Sequence, residues 1–195
     1  RKKRNFFEVE RTKSFGMQLK DEIMFKLTTF IRKIPNEVII PNFYFGWYEM
    51  DVFRLTSSGF VTEYEIKTSR ADLKNDFKKS RFVKTNPKDP TEKIEIFKHE
   101  EIDKGSHKAN KFFFVVPEGL VKPEEIPKNC GLIYYEQRFE TFREVKPAKF
   151  IHKNKFDESG FKDLCKSLSW REMTIRAKNV RLQKEINRLK KLNNY

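Results

Sequence analysis

The stretch Glu63-Tyr64-Glu65-Ile66-Lys67-Thr68-Ser69-Arg70-Ala71-Asp72-Leu73 decides how this chain is read. From Glu63 to Lys67, charged residues alternate with Tyr64 and Ile66. That is the period of a β-strand, in which residues two apart share a face. At Ser69 the pattern turns helical. Ser69-Arg70-Ala71-Asp72 fits a capping box, with Ser69 as N-cap and Asp72 three residues on. A strand therefore runs straight into a helix, expected to reach about residue 81, and Glu65 and Lys67 project together at the junction.

Upstream, residues 60–67 follow the turn Thr56-Ser57-Ser58-Gly59. Residues 43–55 are rich in aromatic and β-branched side chains, so 43–67 reads as a hairpin. With Ser57-Ser58-Gly59 as a three-residue loop, paired positions sum to 116, which sets Asp51 opposite Glu65 on one face. Gly59 suits the left-handed position of such a loop. A two-residue loop would put Asp51 on the other face. Two facing carboxylates repel unless a cation lies between them. Mg²⁺ suits an oxygen-rich site with one or two protein carboxylates and substrate phosphate oxygens. A neighbouring lysine can orient or deprotonate the attacking water and steady the developing charge, which is the chemistry of phosphodiester hydrolysis.

The remaining pattern surrounds this junction with an α/β domain. A helix is expected over residues 14–34, with Phe15, Leu19, Ile23, Leu27, Phe30 and Ile34 on one stripe and Pro35 ending it. Val38-Ile39-Ile40 begins the β region, which Pro41 and Gly46 interrupt. Residues 80–92, with Pro87 and Pro90, read as a polar loop, followed by a short helix over 94–103. Strands are expected at 111–116, at 131–135 and, as a return, at 137–145. This makes a mixed sheet of about four or five strands flanked by helices.

The tail differs in kind. Residues 166–195 hold nine Lys/Arg and two Asp/Glu, a net of +7. Phe161, Leu168, Ile175, Leu182 and Leu189 recur every seven residues, the mark of a long helix with one narrow apolar seam. Arg171, Lys178 and Glu185 occupy companion positions, so the seam is half a coiled coil. A helix resting along its own domain or beside a partner helix, a homodimer formed through it, and docking on nucleic acid are its alternative uses. The division expected is a domain over residues 1–155 and a basic helical extension over 156–195.

Composition narrows the class. The chain has 195 residues, 37% hydrophobic and 36% charged, with 20 Phe among its 14% aromatics. Disordered chains lack such an aromatic content. Cys130 and Cys165 form neither a disulfide framework nor a zinc cluster, which points to a reducing cytoplasmic setting. No apolar run suits a membrane span and no signal peptide is visible, so no membrane partner is expected. A net charge of +14 favours polyanions, nucleic acid above all. Residues 1–4 form a basic arm.

These residues resemble the PD-(D/E)XK nuclease superfamily, whose pattern is an Asp on one strand and Glu-x-Lys on the next. Asp51 matches the first acid, with Met50 in place of the Pro, and Glu65-Ile66-Lys67 matches Glu-x-Lys. The longer run Glu63 to Leu73 looks like that of MmcB-like DNA repair proteins and related phage proteins. Lys98-His99-Glu100, the run Asn110 to Leu120, and Gly131-Leu132-Ile133-Tyr134-Tyr135 look like the same group's following segments, so the match covers residues 37–135. The resemblance implies a restriction-endonuclease-like core and a Mg²⁺-dependent DNA endonuclease, with Mn²⁺ as substitute, acting in DNA repair or phage DNA processing. Asp51 and Glu65 become metal ligands, the carbonyl of Ile66 a third, and Lys67 the catalytic lysine. Some members add a Glu from the first helix. Glu22, beside the apolar stripe, is the candidate ahead of Asp21. The alternative is a nuclease-like fold that binds nucleic acid without turnover.

Other residues carry two readings. Ser69 and Asp72 cap the helix or touch phosphate. Arg70, in its first turn, belongs to the helix cap or contacts DNA phosphate near the metal. Lys78, Lys79, Arg81 and Lys84 hold a DNA backbone or form a solvated face. Phe43, Tyr44, Phe45, Trp47 and Tyr48 stack on bases or alternate between core and surface. His99, His107 and His152 show no paired spacing and read as structural or exposed.

Overall fold

The computed structural model describes residues 18–86 and 89–192. The arm at 1–4 and the start of the first helix, with Ser14 and Phe15, lie outside the described residues. The architecture is α/β. A six-stranded mixed sheet has the order β1-β2-β3-β6-β7-β8, and β4-β5 form a separate two-stranded sheet. The strand number thus exceeds the four or five expected from sequence.

The first helix, α1 (Leu19–Ile31), buries Ile23, Leu27, Thr28 and Ile31. Thr28 is accommodated because its hydroxyl donates to the Met24 carbonyl at 2.9 Å. The expected stripe is corrected at its end: the helix stops at Ile31, so Ile34 is exposed. Phe30 also points outward, against Phe142 with ring centroids 5.8 Å apart.

Residues 38–67 are three strands in place of the single hairpin expected over 43–67: β1 (Val38–Phe45), β2 (Tyr48–Leu55) and β3 (Val61–Ile66). Gly46, at φ 78°, and Trp47 turn β1 into β2. The β2–β3 register is the expected one, from Val52↔Tyr64 to Leu55↔Val61. Gly59 takes φ 85° in the connecting loop, where a side chain would be strained.

Beyond Ser69 come α2 (Arg70–Asp76), β4 (Ser80–Asn86), β5 (Asp89–Phe97) and α3 (Lys98–Lys104). Ser69 does cap α2, accepting from the Asp72 N–H at 3.1 Å. The helix ends at Asp76, not near 81, and the expected loop at 80–92 is a β-hairpin. Val83 pairs with Ile94 and Arg81 with Ile96, so apolar residues alternate with charges in strands that lie outside the main sheet. The short helix consequently starts at Lys98 and not at 94.

The chain then enters β6 (Lys111–Pro117), passes a 3₁₀ turn at Pro123–Glu125, and forms β7 (Gly131–Glu136) and β8 (Thr141–Lys146), the last starting later than the expected 137. Strands β3, β6 and β7 run parallel at the centre. Such strands are covered on both faces, hence the unbroken Phe112-Phe113-Phe114-Val115-Val116 of β6, all buried. On one face, α1 packs over Val52, Tyr64, Ile66, Val115, Ile133 and Tyr135. On the other, Leu73 of α2 and Ile102 of α3 join Phe112, Phe114 and Leu132. Gly131 is required where β7 meets β6, since a Cβ there would lie 2.3 Å from the Phe113 ring.

The last element, α4 (Glu158–Leu192), is one continuous helix. Its first turns bury Leu164 against β1 and β2 and Gly160 against the Phe156 ring, and Arg171 donates to the Pro41 carbonyl at 2.5 Å. Past Arg171 every described residue is exposed. Leu182 and Leu189 of the heptad seam are 52% and 51% exposed, so this part of the helix does not rest on its own domain. No helix among the described residues is long and apolar enough to cross a membrane.

Candidate functional site

A central parallel strand is the most desolvated position of this fold, and β3 fills one of its faces with charge. Glu63, Glu65 and Lys67 are 0%, 1% and 2% exposed. Buried ions are costly unless paired and hydrogen-bonded. The helices that follow β3 supply the partners. Asp76, at the end of α2, receives Lys67 Nζ at 3.0 Å and Lys79 Nζ at 2.9 Å. Glu65 Oε1 takes Lys67 Nζ at 2.9 Å and also Lys79, and its Oε2 lies 3.3 Å from Lys98 Nζ. Lys98, fully buried at the start of α3, reaches Glu63 Oε1 at 2.6 Å and lies over the Phe112 ring at 4.8 Å. His107 meets the other Glu63 oxygen at 2.7 Å, and His99 meets Asp76 at 2.9 Å.

Asp51 stands at the edge of this cluster. The β2–β3 ladder ends at Val52↔Tyr64, and the β1–β2 pairing passes from Pro41↔Val52 to Phe43↔Met50 across Asn42, which has φ 48°. At this break the Asp51 carboxylate is free to turn. Its Oδ2 accepts the N–H of Ile66 at 2.7 Å, and Lys20 Nζ of α1 lies 2.8 Å from its Oδ1. Asp51, Glu65, Ile66 and Lys67 are thus brought to one place.

Electrostatics fixes the charge states. Burial works against the Lys67 ammonium, but Glu65 and Asp76 outweigh it and hold Lys67 above the usual lysine range. Of the two roles expected for it, this direction favours orienting water and countering charge over proton abstraction. Lys98 is raised in the same way by Glu63, Glu65 and Asp76 against its burial. Burial pushes Glu65 up, and the charges of Asp76 and Asp51 add to this against the pull of Lys98 and Lys67. Glu63 goes the other way: Lys98 and His107 overcome its burial and bring it down to about 2. Asp76 is likewise depressed, its burial overcome by His99 and the three lysines.

A pH prediction follows. A free Glu titrates near ~4.3. Glu63 and Asp76 are lowered in the fold, so their stabilisation is complete above about pH 5 and is lost as pH falls towards about 2. Glu65, raised, opposes them in part. The urea midpoint should fall steeply between pH 5 and pH 3. A midpoint constant over that window would show that these carboxylates gain nothing from their partners.

The other expected residues are placed differently. The Glu22 carboxylate accepts the Tyr135 hydroxyl at 2.7 Å, and no hydrogen bond or ion pair among the described residues joins it to Asp51 or Glu65. Arg70 forks onto Glu125 at 2.6 and 3.2 Å. Arg81 binds Glu101 and lies 5.1 Å from the Trp47 ring centre. Lys79 belongs to the buried cluster, and Lys78 and Lys84 are exposed. Of the aromatics, Phe43, Phe45 and Tyr48 are buried, whereas Tyr44 and Trp47 are exposed.

Lys20, Glu63, Asp76 and Lys98 join the site without being expected there from sequence. Glu63 is signalled by sharing the parity of Glu65 and Lys67. Asp76 falls one helical turn after Asp72. Lys98 carries no local signal: in sequence it is one of many lysines.

The donor set fits a hard divalent cation. Asp51, Glu65 and the Ile66 carbonyl offer oxygen only, the preference of Mg²⁺. Among the described residues no group of three or more His, Cys, Asp or Glu side chains is placed to hold a metal ion. Mg²⁺ does not need one when phosphate oxygens and water complete its shell. The buried oxygens Glu63 Oε1 and Asp76 Oδ1 have ammonium groups nearby but no aligned hydrogen bond, so the cluster is held by charge more than by direction.

No family model matches the chain, and no curated protein does. Among solved structures it is similar to a protein of unknown function from Silicibacter pomeroyi, with a TM-score of 0.54 and 18% identity over 86% of this chain and 94% of that one. At this identity the likeness extends to the fold alone.

Proposed function

We propose that this protein is a Mg²⁺-dependent DNA endonuclease acting in DNA repair or phage DNA processing. The observation that carries the reading is the hydrogen bond from the Ile66 N–H to Asp51, which joins the first acid to the Glu65-Ile66-Lys67 run at the carboxyl end of a central strand. Open α/β sheets bind their ligands at that end. Asp51, Glu65 and the Ile66 carbonyl would hold the cation, which when bound supplies Lewis acidity and a phosphate template. Lys67, fixed between Glu65 and Asp76, orients the attacking water and offsets charge on the phosphoryl oxygens.

A second reading is a nucleic-acid-binding protein without turnover. What favours it is that every carboxylate of the site already has an ammonium partner. Incubation of plasmid, branched and single-stranded DNA with Mg²⁺, Mn²⁺ or EDTA separates the two. Metal-dependent cleavage supports the nuclease, and DNA binding without cleavage on all substrates supports the binder.

The exposed basic part of α4 adds a prediction about affinity. Each phosphate neutralised by Lys or Arg releases counterions, so binding weakens with salt in proportion to the contacts made. Removing residues 166–195 should lower DNA affinity and flatten its salt dependence. An unchanged salt slope would exclude the tail from DNA binding.

A further inference from the structure

Closure of the site against solvent is uneven. The side chains of Glu65, Lys67 and Asp76 are 2%, 3% and 0% exposed, and that of Asp51 is 10% exposed. Nothing of substrate size reaches them in this state. Two of the four ammonium groups that cover the carboxylates are different. Lys20 on Asp51 and Lys79 on Glu65 and Asp76 are 39% and 36% exposed, whereas Lys67 and Lys98 are 3% and 0% exposed. Lys20 comes from the first turn of α1, and Lys79 from the short link between α2 and β4.

Four carboxylates, Asp51, Glu63, Glu65 and Asp76, are met by four ammonium groups, Lys20, Lys67, Lys79 and Lys98. Asp72, 39% exposed, adds a longer contact to Lys67 at 3.7 Å, and His107 and His99 adjoin Glu63 and Asp76. A divalent cation added to this arrangement would bring two more positive charges into a desolvated region already lined by ammonium groups, which is strongly unfavourable. The departure of two ammonium groups offsets the charge it brings. Lys67 and Lys98 cannot leave without exposing or unpairing buried charge. Lys20 and Lys79 can, because each stands at the surface on a flexible four-carbon stem.

We infer that Lys20 and Lys79 are exchangeable counter-ions that hold Asp51 and Glu65 in the metal-free protein and are displaced together when a divalent cation takes those carboxylates. This rests on the nuclease reading above and adds two residues to it. The same exchange opens the site, since the two lysines are its outer cover. Once released, their ammonium groups stand at the rim where a phosphodiester approaches the cation, and they become phosphate donors.

The test uses the full chain and Mn²⁺ as probe. Lysines are acylated by an amine-reactive reagent with and without Mn²⁺, and labelling is read residue by residue by mass spectrometry. Mn²⁺ should raise labelling at Lys20 and Lys79 together. Lys67 and Lys98 should stay protected, and exposed Lys104 should not change. Calorimetric titration gives an independent readout. Each lysine competes with the cation in the manner of a partly exposed ion pair, so Lys20→Ala and Lys79→Ala should each bind Mn²⁺ about two- to fivefold more tightly than the wild type. Lys104→Ala should bind as the wild type does. If Mn²⁺ binds but labelling and variant affinities are unchanged, the exchange is overturned and the nuclease reading stands. If Mn²⁺ binds to neither the wild type nor the variants, both are overturned.

Discussion

Under the nuclease proposal, Lys67→Ala should remove metal-dependent cleavage and leave DNA binding largely intact. Lys67 lies between Glu65 and Asp76, which favour its charged form, so in the proposed reaction its contribution would be a fixed positive charge beside the phosphate. Interactions realised mainly in the transition state appear in turnover and not in affinity. Preorganised charge of this kind is worth about 3–4 kcal/mol, or roughly a hundred- to a thousandfold in rate. The fold should survive, because Lys79 and Lys98 still accompany Glu65, and Lys79 and His99 still accompany Asp76. Lys67→Arg should recover little: the charge remains, but a planar guanidinium does not fit a side-chain site that is 3% exposed. Asp51→Asn should instead weaken metal binding, so that excess Mn²⁺ restores part of the activity. Nicking rates compared at matched circular dichroism decide the matter. Equal cleavage by wild type and Lys67→Ala would remove Glu65-Ile66-Lys67 from the active site.

The largest effect on stability belongs to a residue with no expected role. Lys98→Met keeps the length of the side chain and its packing on Phe112, but leaves Glu63 and Glu65 without their fully buried cation. Breaking a buried pair by removing one partner costs about 3–5 kcal/mol. For a chain of this size that lowers Tm by roughly 6–20 °C. Adding Glu63→Gln should return part of the loss, since the carboxylate that lost its ammonium partner is then neutral. The recovered share is the coupling that a double-mutant cycle measures. A Tm within a degree or two of wild type for Lys98→Met would mean that Lys98 and Glu63 are not paired in solution.

What the sequence discloses and what it hides divide along physical lines. The β2–β3 register is legible because a turn of known length fixes the pairing, and the Ser69 cap because its geometry is local. Strand β6 is legible because burial on both faces writes an unbroken apolar run. The β4–β5 hairpin is not legible, since it lies outside the main sheet and its strands carry Arg81, Lys84, Lys93 and Glu95 among few apolar residues. Asp51, Glu65 and Lys67 are found by their spacing within one hairpin. Asp76 and Lys98 reach the same place through tertiary packing. A buried lysine is indistinguishable in sequence from a solvated one, and only the crossover between β3 and β6 carries Lys98 to Glu63.

That hairpin also has a modular character. Its two ends are already joined where it leaves the domain: Ser80 pairs with Phe97, and the Lys98 N–H donates to the Lys79 carbonyl at 2.8 Å. The residues on either side of it, Lys79 and Lys98, both reach Glu65. Excision of residues 80–97 therefore opens no gap for a new linker to span. A turn of two or three small residues could bridge the cut while both ammonium groups keep their anchorage. The segment is in this sense a graft carried on an otherwise closed circuit, and another hairpin of the same strand spacing could be spliced onto that seat if it kept a cation at the place of Arg81, which pairs with the buried Glu101.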